Sequence, residues 1–296
     1  MKKIKKSFHK TAIKISASIA VAAFTLVGAY AGISAQNARQ LTVSYFDVGQ
    51  GDAELIRTPS SQNILIDGGP DRSVEQKLGS TLPFYDRTID LMILTHPHAD
   101  HLNGLIGVLQ TYPVKKIFLS EMKNTTVGFR EFLRIAKEKN IPIEYVTEGK
   151  RVTFGASTAL DVLAPYDDEQ SKTDINNASV VVKVTYHKTA FMFTGDAETT
   201  EEEHIARNRD DLASDVLKTG HHGSKTSTSE EFLAEVHPDI AIISVGKGNM
   251  YGHPDKEIIH RLEQNRITVY RTDEAGDITV KSDGAHVSVI SQKNKK

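Results

Sequence analysis

The sequence of 296 residues contains no cysteine. Disulfide bonds, thiolate metal sites and cysteine nucleophiles are therefore excluded, and so is a lipoprotein anchor, which requires a cysteine. Internal repeats and low-complexity linkers are absent as well. Hydrophobic residues make up 39% of the chain and charged residues 25%, so a soluble globular protein with a substantial core is expected.

Acidic residues are missing from the first 35 positions, which carry six lysines. Residues 15–35 form an uncharged run of 21 residues after this basic start. The pattern is typical of a secretory signal peptide, and the run is also long enough to span a bilayer. We therefore expect residues 1–35 to be a signal peptide or an N-terminal membrane anchor. Residues 36–296 would then be a single domain, secreted or tethered to the outer face of the cytoplasmic membrane.

The rest of the chain lacks an excess of positive charge. Without residues 1–35 the formal charge falls from −2 to −8. Binding to a phosphate backbone normally needs a stripe of lysine and arginine, so a general polyanion binder is excluded. Candidates for a local basic patch are Lys218, Lys225, Lys247 and Lys256, which lie near the motifs described below.

The most informative stretch is residues 95–101, which read THPHADH. The apolar residues 91–94 lead directly into it, and residues 103–109 that follow are mostly apolar. This pattern predicts a buried strand, a turn at Pro97 and a helix that begins near Asp100. Three histidines and an aspartate so close together are typical of a site for a divalent metal ion.

Other acids and histidines also follow apolar strands. Asp67, Asp196 and His222 each stand at such a position, next to a glycine or another histidine. A two-metal hydrolytic site needs neutral imidazoles, carboxylates and one carboxylate that bridges two cations roughly 3.5–4 Å apart. Asp196 is the natural bridge because Gly195 before it permits close approach. A hydroxide held between two zinc or manganese ions would then be the nucleophile, so no serine is needed.

Six segments together resemble the metallo-β-lactamase-fold hydrolases, and within them the hydrolase domain of ComEC-type competence proteins and its secreted relatives. The segments are residues 47–53 (DVGQGDA), 66–69 (IDGG), 95–101, 193–198 (FTGDAE), 217–224 (LKTGHHGS) and 244–254 (SVGKGNMYGHP). The resemblance covers roughly residues 41–290. It implies an α+β or α/β fold built as a four-layer αββα sandwich, with two divalent metal ions at one edge.

The resemblance also implies a role for each motif residue. The implied metal ligands are His96 and His98 for the first ion, Asp100, His101 and His222 for the second, and Asp196 between them. Asp67 would orient a ligand histidine through its ring N–H. The sequence departs from many family members at Asn176, where a further histidine would bind the first metal. An amide suits harder metals better than zinc, so we expect a labile first metal or manganese.

The remaining polar residues are assigned with an alternative beside each. The catalytic candidates are Asp100, His221 and His253, although His221 also fits an outer partner of a ligand and His253 a helix cap. Ser224 and Lys225 are candidates for binding a substrate anion, although Lys225 also fits a solvated surface lysine.

These residues predict an extracytoplasmic metal-dependent hydrolase. The resemblance favours a phosphodiester substrate, either DNA or a small phosphoester, since metal ligands alone do not select a substrate. A lactonase or β-lactamase-like hydrolase is one alternative, and a non-catalytic metal-binding protein is another. No protein partner is evident from the sequence.

Overall fold

A computed structural model of the chain describes residues 40–122, 126–166 and 174–293. Within them, residues from Leu41 onward belong to one compact unit. The predicted signal peptide or anchor over residues 1–35 lies outside the described residues. None of the described helices combines the length and the apolar character needed to cross a membrane.

Fifteen strands are found in the described residues. They are β1 (Leu41–Tyr45), β2 (Glu54–Arg57), β3 (Asn63–Ile66), β4 (Leu91–Leu94), β5 (Ile117–Leu119), β6 (Ile143–Tyr145), β7 (Arg151–Phe154), β8 (Thr158–Ala164), β9 (Val181–Tyr186), β10 (Thr189–Phe193), β11 (Val216–Lys218), β12 (Ile240–Ile243), β13 (Thr268–Arg271), β14 (Ile278–Ser282) and β15 (Val287–Ser291). One sheet has the order β15-β14-β1-β2-β3-β4-β5-β6, and the other has the order β13-β12-β11-β10-β9-β8-β7.

Seven α-helices connect or follow these strands in the described part of the chain. They are α1 (Ser73–Thr81), α2 (Ala99–Thr111), α3 (Val127–Glu138), α4 (Thr199–Asn208), α5 (Glu230–Val236), α6 (Lys256–Gln264) and α7 (Thr272–Ala275). Side-chain caps begin three of them: the hydroxyls of Thr126 and Ser229 accept the Phe129 and Phe232 N–H groups, and the Asp255 carboxylate accepts the Glu257 N–H.

Alternation of side chains across each strand produces four layers. In β4, Leu91 and Ile93 join a core between the two sheets, whereas Met92 and Leu94 pack with the helices α1, α2 and α3. The second sheet likewise sends Phe191 into the central core, and other residues pack with α4, α5 and α6. Strands buried on both faces explain the uninterrupted apolar runs of the sequence. The four-layer αββα sandwich predicted from the sequence is therefore confirmed.

The elements around the histidine cluster agree with the sequence prediction. Strand β4 covers residues 91–94, and the helix after the cluster begins at Ala99, next to the predicted start at Asp100. The short helix α7 was not predicted, because four residues between two strands carry no helical period.

Parallel pairing decides where the site lies. Strand β3 runs parallel to β4 in one sheet, and β10, β11 and β12 run parallel to one another in the second sheet. The residues that follow the carboxyl ends of these strands meet at a single edge of the sandwich. Two backbone contacts join the sheets there: Val180 N–H donates to the Thr95 carbonyl over 2.9 Å, and Gly195 packs directly against the Thr95 side chain.

Candidate metal centre

One ligand set is formed by His96, His98 and Asp196, whose ligand atoms all lie within 4.8 Å of one another. Both histidines follow β4, and Asp196 follows β10 in the opposite sheet. His96 Nε2 lies 3.0 Å from His98 Nδ1 and 3.7 Å from Asp196 Oδ2. The ligand atoms of both imidazoles are therefore directed toward one point between the sheets.

The second set is formed by Asp100, His101 and His222, again within 4.8 Å. Asp100 and His101 stand in the first turn of α2, and His222 lies in the turn after β11. Asp196 connects the two sets, because its Oδ1 lies 3.3 Å from His101 Nε2 while its Oδ2 lies 3.6 Å from His222 Nε2. The predicted bridging carboxylate thus stands between the two groups of ligands.

The chemistry of these residues fits divalent metal ions. His101 Nε2 and Asp196 Oδ1 are buried and face each other over 3.3 Å, but neither forms a hydrogen bond among the described residues. Buried polar atoms are almost always paired, so this orphaned nitrogen and oxygen point to a bound group. Imidazole and carboxylate ligands suit zinc, iron and manganese. Two such ions would be held by the two sets, with Asp196 shared.

The electrostatics of the site keep the imidazoles of the first ligand set neutral and favour positive charge at His222 in the second set. Burial lowers the pKa of His96 well below its usual value and also lowers that of His98, which keeps these rings in the metal-binding form. Burial opposes ionisation of Asp100, but its hydrogen bond with His222 and the nearby charges of His101 and His222 lower its pKa to about 2. His222 has a pKa raised to about 10, because Asp196 and Asp52 outweigh its burial. A field that favours a protonated imidazole also favours a metal cation.

Asp67 fixes the orientation of His101. Its Oδ2 accepts the His101 Nδ1–H over 2.8 Å, and its two oxygens also accept the Thr95 N–H and hydroxyl over 2.8 and 2.6 Å. All three partners are buried. Because Nδ1 is engaged by Asp67, Nε2 is the ring nitrogen that faces Asp196 and would bind a metal ion. Asp67 itself has left-handed backbone, with φ of 53°, which is uncommon for a residue other than glycine.

His222 is held by a strained turn. His221 and His222 both take left-handed backbone, with φ of 45° and 54°, between Gly220 and Gly223. The His222 Nδ1 lies 3.0 Å from the Ser244 carbonyl and 3.2 Å from Asp52 Oδ1. Left-handed residues cost about 1–2 kcal/mol each and persist where the surroundings over-determine them, as they do here.

Lys218 is the counterion of this arrangement. Its side chain is 1% exposed and forms an ion pair with Asp52, which is equally buried. Lys218 therefore does not belong to a basic surface patch, and the prediction that it does is wrong. Lys225, Lys247 and Lys256 are exposed. The position of Lys218 at the end of an apolar strand indicates that it is buried. Its partner Asp52 lies 166 positions earlier, and no sequence pattern links the two residues.

Two predicted residues meet at Glu198, which directly precedes α4. The Glu198 Oε1 lies 3.0 Å from His221 Nδ1 and accepts the Asn176 side-chain amide over 3.2 Å. The Nε2 of His221 lies 3.9 Å from Asp196 Oδ2. Asn176 Oδ1 is buried without a partner among the described residues, and Asn176 borders the same opening as His98. Asn176 therefore stands beside the first ligand set with a free carbonyl oxygen.

An open cavity of about 350 Å³ covers the two sets. It is lined by Gln50, His98, Ala99, Asp100, Asp196, His221, His222, Tyr251 and His253. His253 does not cap the following helix, because Asp255 does so. Ser224 is buried against Thr226, and exposed Lys225 follows it; neither residue lines the cavity.

Four residues of the site received no role from the sequence. Asp52 and Gln50 stand in a glycine-rich turn that is readily interpreted as structural, and Glu198 resembles an ordinary acidic residue at a helix start. Tyr251 is an isolated aromatic residue in a loop. Their proximity to the ligands depends on the pairing of distant strands, which single-sequence patterns do not specify.

Comparison with known proteins defines the class. Residues 46–247 match the family model described as the metallo-beta-lactamase superfamily, and the chain belongs to this superfamily. Its members are generally metal-dependent hydrolases, and the fold typically binds divalent metals, often two. The resemblance stated from the sequence is therefore confirmed.

Particular relatives refine the placement. The chain is 34% identical over 259 residues to ComE operon protein 3 of Bacillus subtilis, covering 80% of this chain and 32% of that protein. It is 30% identical over 239 residues to the competence protein ComA of Neisseria gonorrhoeae, again covering 80% of this chain and 32% of that protein. The chain thus spans about a third of the length of these curated relatives.

Among solved structures, the fold is similar to that of CmlA, a diiron β-hydroxylase from Streptomyces venezuelae. The TM-score is 0.53 and the sequence identity 15%, over 78% of this chain and 52% of that one. This likeness concerns the fold alone.

Proposed function

We propose that the chain is a two-metal hydrolase of phosphodiesters that acts outside the cytoplasm. The observation that carries the proposal is the position of Asp196, which stands between two sets of metal ligands and lines an open cavity. Divalent cations bound there would polarise the phosphoryl oxygens and activate a water molecule. The extracytoplasmic location depends on residues 1–35 and stays a prediction of the sequence.

The chain's own residues hold this centre in place. Asp67 orients the His101 ring, and the Ser244 carbonyl and Asp52 orient the His222 ring. Ligands that follow strands of both sheets are therefore oriented before any ion binds. His221 has its Nδ1 beside Glu198 and its Nε2 in the cavity. The Nε2 of His221 is therefore the ring nitrogen placed to contact the leaving oxygen of a substrate.

Phosphodiesters are favoured over other substrates by two arguments. The relatives that the chain matches include a competence protein, which is consistent with a nucleic-acid substrate. Asn176, with its free carbonyl oxygen, stands beside the first ligand set where a lactonase or β-lactamase-like enzyme would supply a histidine. An oxygen donor suits a harder metal than zinc, and harder metals are the usual partners of phosphate.

A substrate panel tests the proposal. The purified chain, loaded with manganese or zinc, is assayed on bis-p-nitrophenyl phosphate, nitrocefin and a homoserine lactone. We expect hydrolysis of the phosphodiester and loss of that activity in Asp196→Ala and His98→Ala. Hydrolysis of nitrocefin or of the lactone alone would favour the alternative enzyme class. Activity that both variants retain would exclude the proposed centre.

The ionic strength dependence separates DNA from a small phosphoester. Since Lys218 is buried, a local basic patch has to come from Lys225, Lys247 and Lys256. A DNA substrate that contacts several of these lysines would be cleaved more slowly as salt is raised, because counterions compete for the phosphates. A cleavage rate that does not change with salt concentration would indicate that the substrate is a small phosphoester and not DNA.

A further inference from the structure

Two large apolar side chains are exposed at the rim of the cavity. Met250 is 90% exposed and Tyr251 is 65% exposed, and both lie in the loop between β12 and α6. Tyr251 lines the cavity together with His253 and the bridging Asp196. Exposed apolar groups beside a reactive cavity are candidates for contact with a ligand.

The Asn249 side chain holds the backbone of this loop in place. The Asn249 side-chain amide donates to the carbonyls of Gly246 and His253 over 3.0 and 2.7 Å, and its oxygen accepts the Tyr251 and His253 N–H groups over 3.2 and 3.0 Å. Four bonds from one side chain therefore fasten both ends of the loop. A loop whose backbone is held in this way loses little conformational entropy when a ligand packs on it.

One side of the Tyr251 ring is already covered. The His253 ring stacks on it with centroids 5.9 Å apart and planes inclined by 13°. His253 in turn lies 5.8 Å from the His221 ring, next to the ligands. The exposed surface of Tyr251 is therefore available for a further flat ring in the same stack.

An unpaired donor lies in the same cavity. Gln50 accepts the Gly246 N–H at its Oε1 over 3.1 Å, which fixes the orientation of the amide. Its Nε2 is buried and has no hydrogen-bond partner among the described residues. A buried donor without an acceptor costs about 1–3 kcal/mol, so this group is suited to an oxygen of a ligand.

We propose that Tyr251 is a stacking platform for a nucleobase next to the scissile phosphodiester. The inference depends on the proposed phosphodiesterase function and names its substrate class as a nucleic-acid strand with unpaired bases. A single open ring backed by His253 matches a flat base, whereas a quaternary ammonium headgroup is normally enclosed by several aromatic rings. Gln50 supplies a donor for an oxygen of the same nucleotide.

The test measures the activity of the 296-residue chain on two short oligonucleotides. One carries thymine on both sides of the scissile phosphate, and the other carries abasic residues there. Stacking of one base is worth about 1–3 kcal/mol, so Tyr251→Ala should lower kcat/KM on the thymine strand about 5- to 150-fold. The rate on the abasic strand should change less than about twofold, and Tyr251→Phe should retain both rates because it keeps the ring. Tyr85→Ala, which alters another exposed tyrosine that does not line the cavity, serves as the control.

Each outcome decides the inference. Equal losses on both strands, or no loss on either, would overturn the platform. Hydrolysis of bis-p-nitrophenyl phosphate by the same preparations shows whether the phosphodiesterase function itself stands. If the chain hydrolyses that compound but Tyr251→Ala affects the thymine and abasic strands equally, only the stacking platform is refuted. If the chain hydrolyses no phosphodiester, the platform and the proposed function are both refuted. Preference for a phosphocholine diester over the thymine strand, lost in Tyr251→Ala, would also overturn the nucleobase assignment.

Discussion

Replacing Lys218 by methionine tests the buried ion pair behind the metal centre. The Lys218 side chain is 1% exposed and pairs with Asp52, whose side chain is also 1% exposed. The pKa of neighbouring Glu54 is raised well above its usual value by burial and by Asp52, so Asp52 is the anion that needs the lysine. The variant removes the lysine from this carboxylate and leaves His222, whose Nδ1 lies 3.2 Å from Asp52 Oδ1, as a remaining positive neighbour. Removing one partner of a buried ion pair typically costs about 3–5 kcal/mol.

The measurement is guanidinium chloride unfolding in the presence of a chelator, followed by circular dichroism. We expect the free energy of unfolding of Lys218→Met to fall by about 3–5 kcal/mol. Lys225→Met, at an exposed lysine seven positions later, should stay within about 0.5 kcal/mol of the unsubstituted chain. The double variant Asp52→Leu/Lys218→Met removes both charges and should recover much of the loss. A loss below about 1 kcal/mol for Lys218→Met would refute the reasoning.

Three further predictions concern other parts of the fold. Gly104→Ala should destabilise the protein by at least about 2 kcal/mol in thermal melts, because the new Cβ would lie 1.8 Å from the Gly68 carbonyl oxygen. The control Gly79→Ala should be neutral or stabilising in the same melts, because the nearest atom to its new Cβ would be 3.7 Å away. Glu202 has a pKa raised by burial to about 7, so its contribution to stability is complete below about pH 4.5 and is lost as the pH rises through 7. Between pH 5 and 8 the unfolding free energy should therefore decline by up to about 3 kcal/mol more in the unsubstituted chain than in Glu202→Gln, and equal pH profiles would contradict this. Manganese or zinc should raise the melting temperature and a chelator should reverse the rise, whereas an unchanged melting temperature at millimolar metal would contradict a metal centre.

Much of the fold could be predicted from the sequence, because apolar runs and turn residues are local signals. The strand before the histidine cluster and the helix after it follow directly from residues 91–109. The order of strands in each sheet is not a local property, and β14 pairs with β1 although more than 200 residues separate them. The four-layer architecture came from resemblance to a family and not from periodicity.

The candidate site divides in the same way. Histidines and aspartates at strand ends are conspicuous, and the structure brings His96, His98, Asp196 and His222 together as ligand sets. The residues that hold them are not conspicuous, since Asp52 and Glu198 resemble ordinary turn and helix-start residues. Tyr251 could not be predicted as a site residue either, because no sequence pattern places this isolated aromatic residue beside the cavity.

The most direct test of the two-metal centre is metal content measured together with activity. The 296-residue chain is equilibrated with manganese or zinc, freed of excess metal and analysed by plasma mass spectrometry, alongside Asp196→Ala. We expect about two ions per chain, fewer in the variant, and phosphodiester hydrolysis that falls with metal content. An Asp196→Ala chain that keeps its full metal content and its full activity would contradict it.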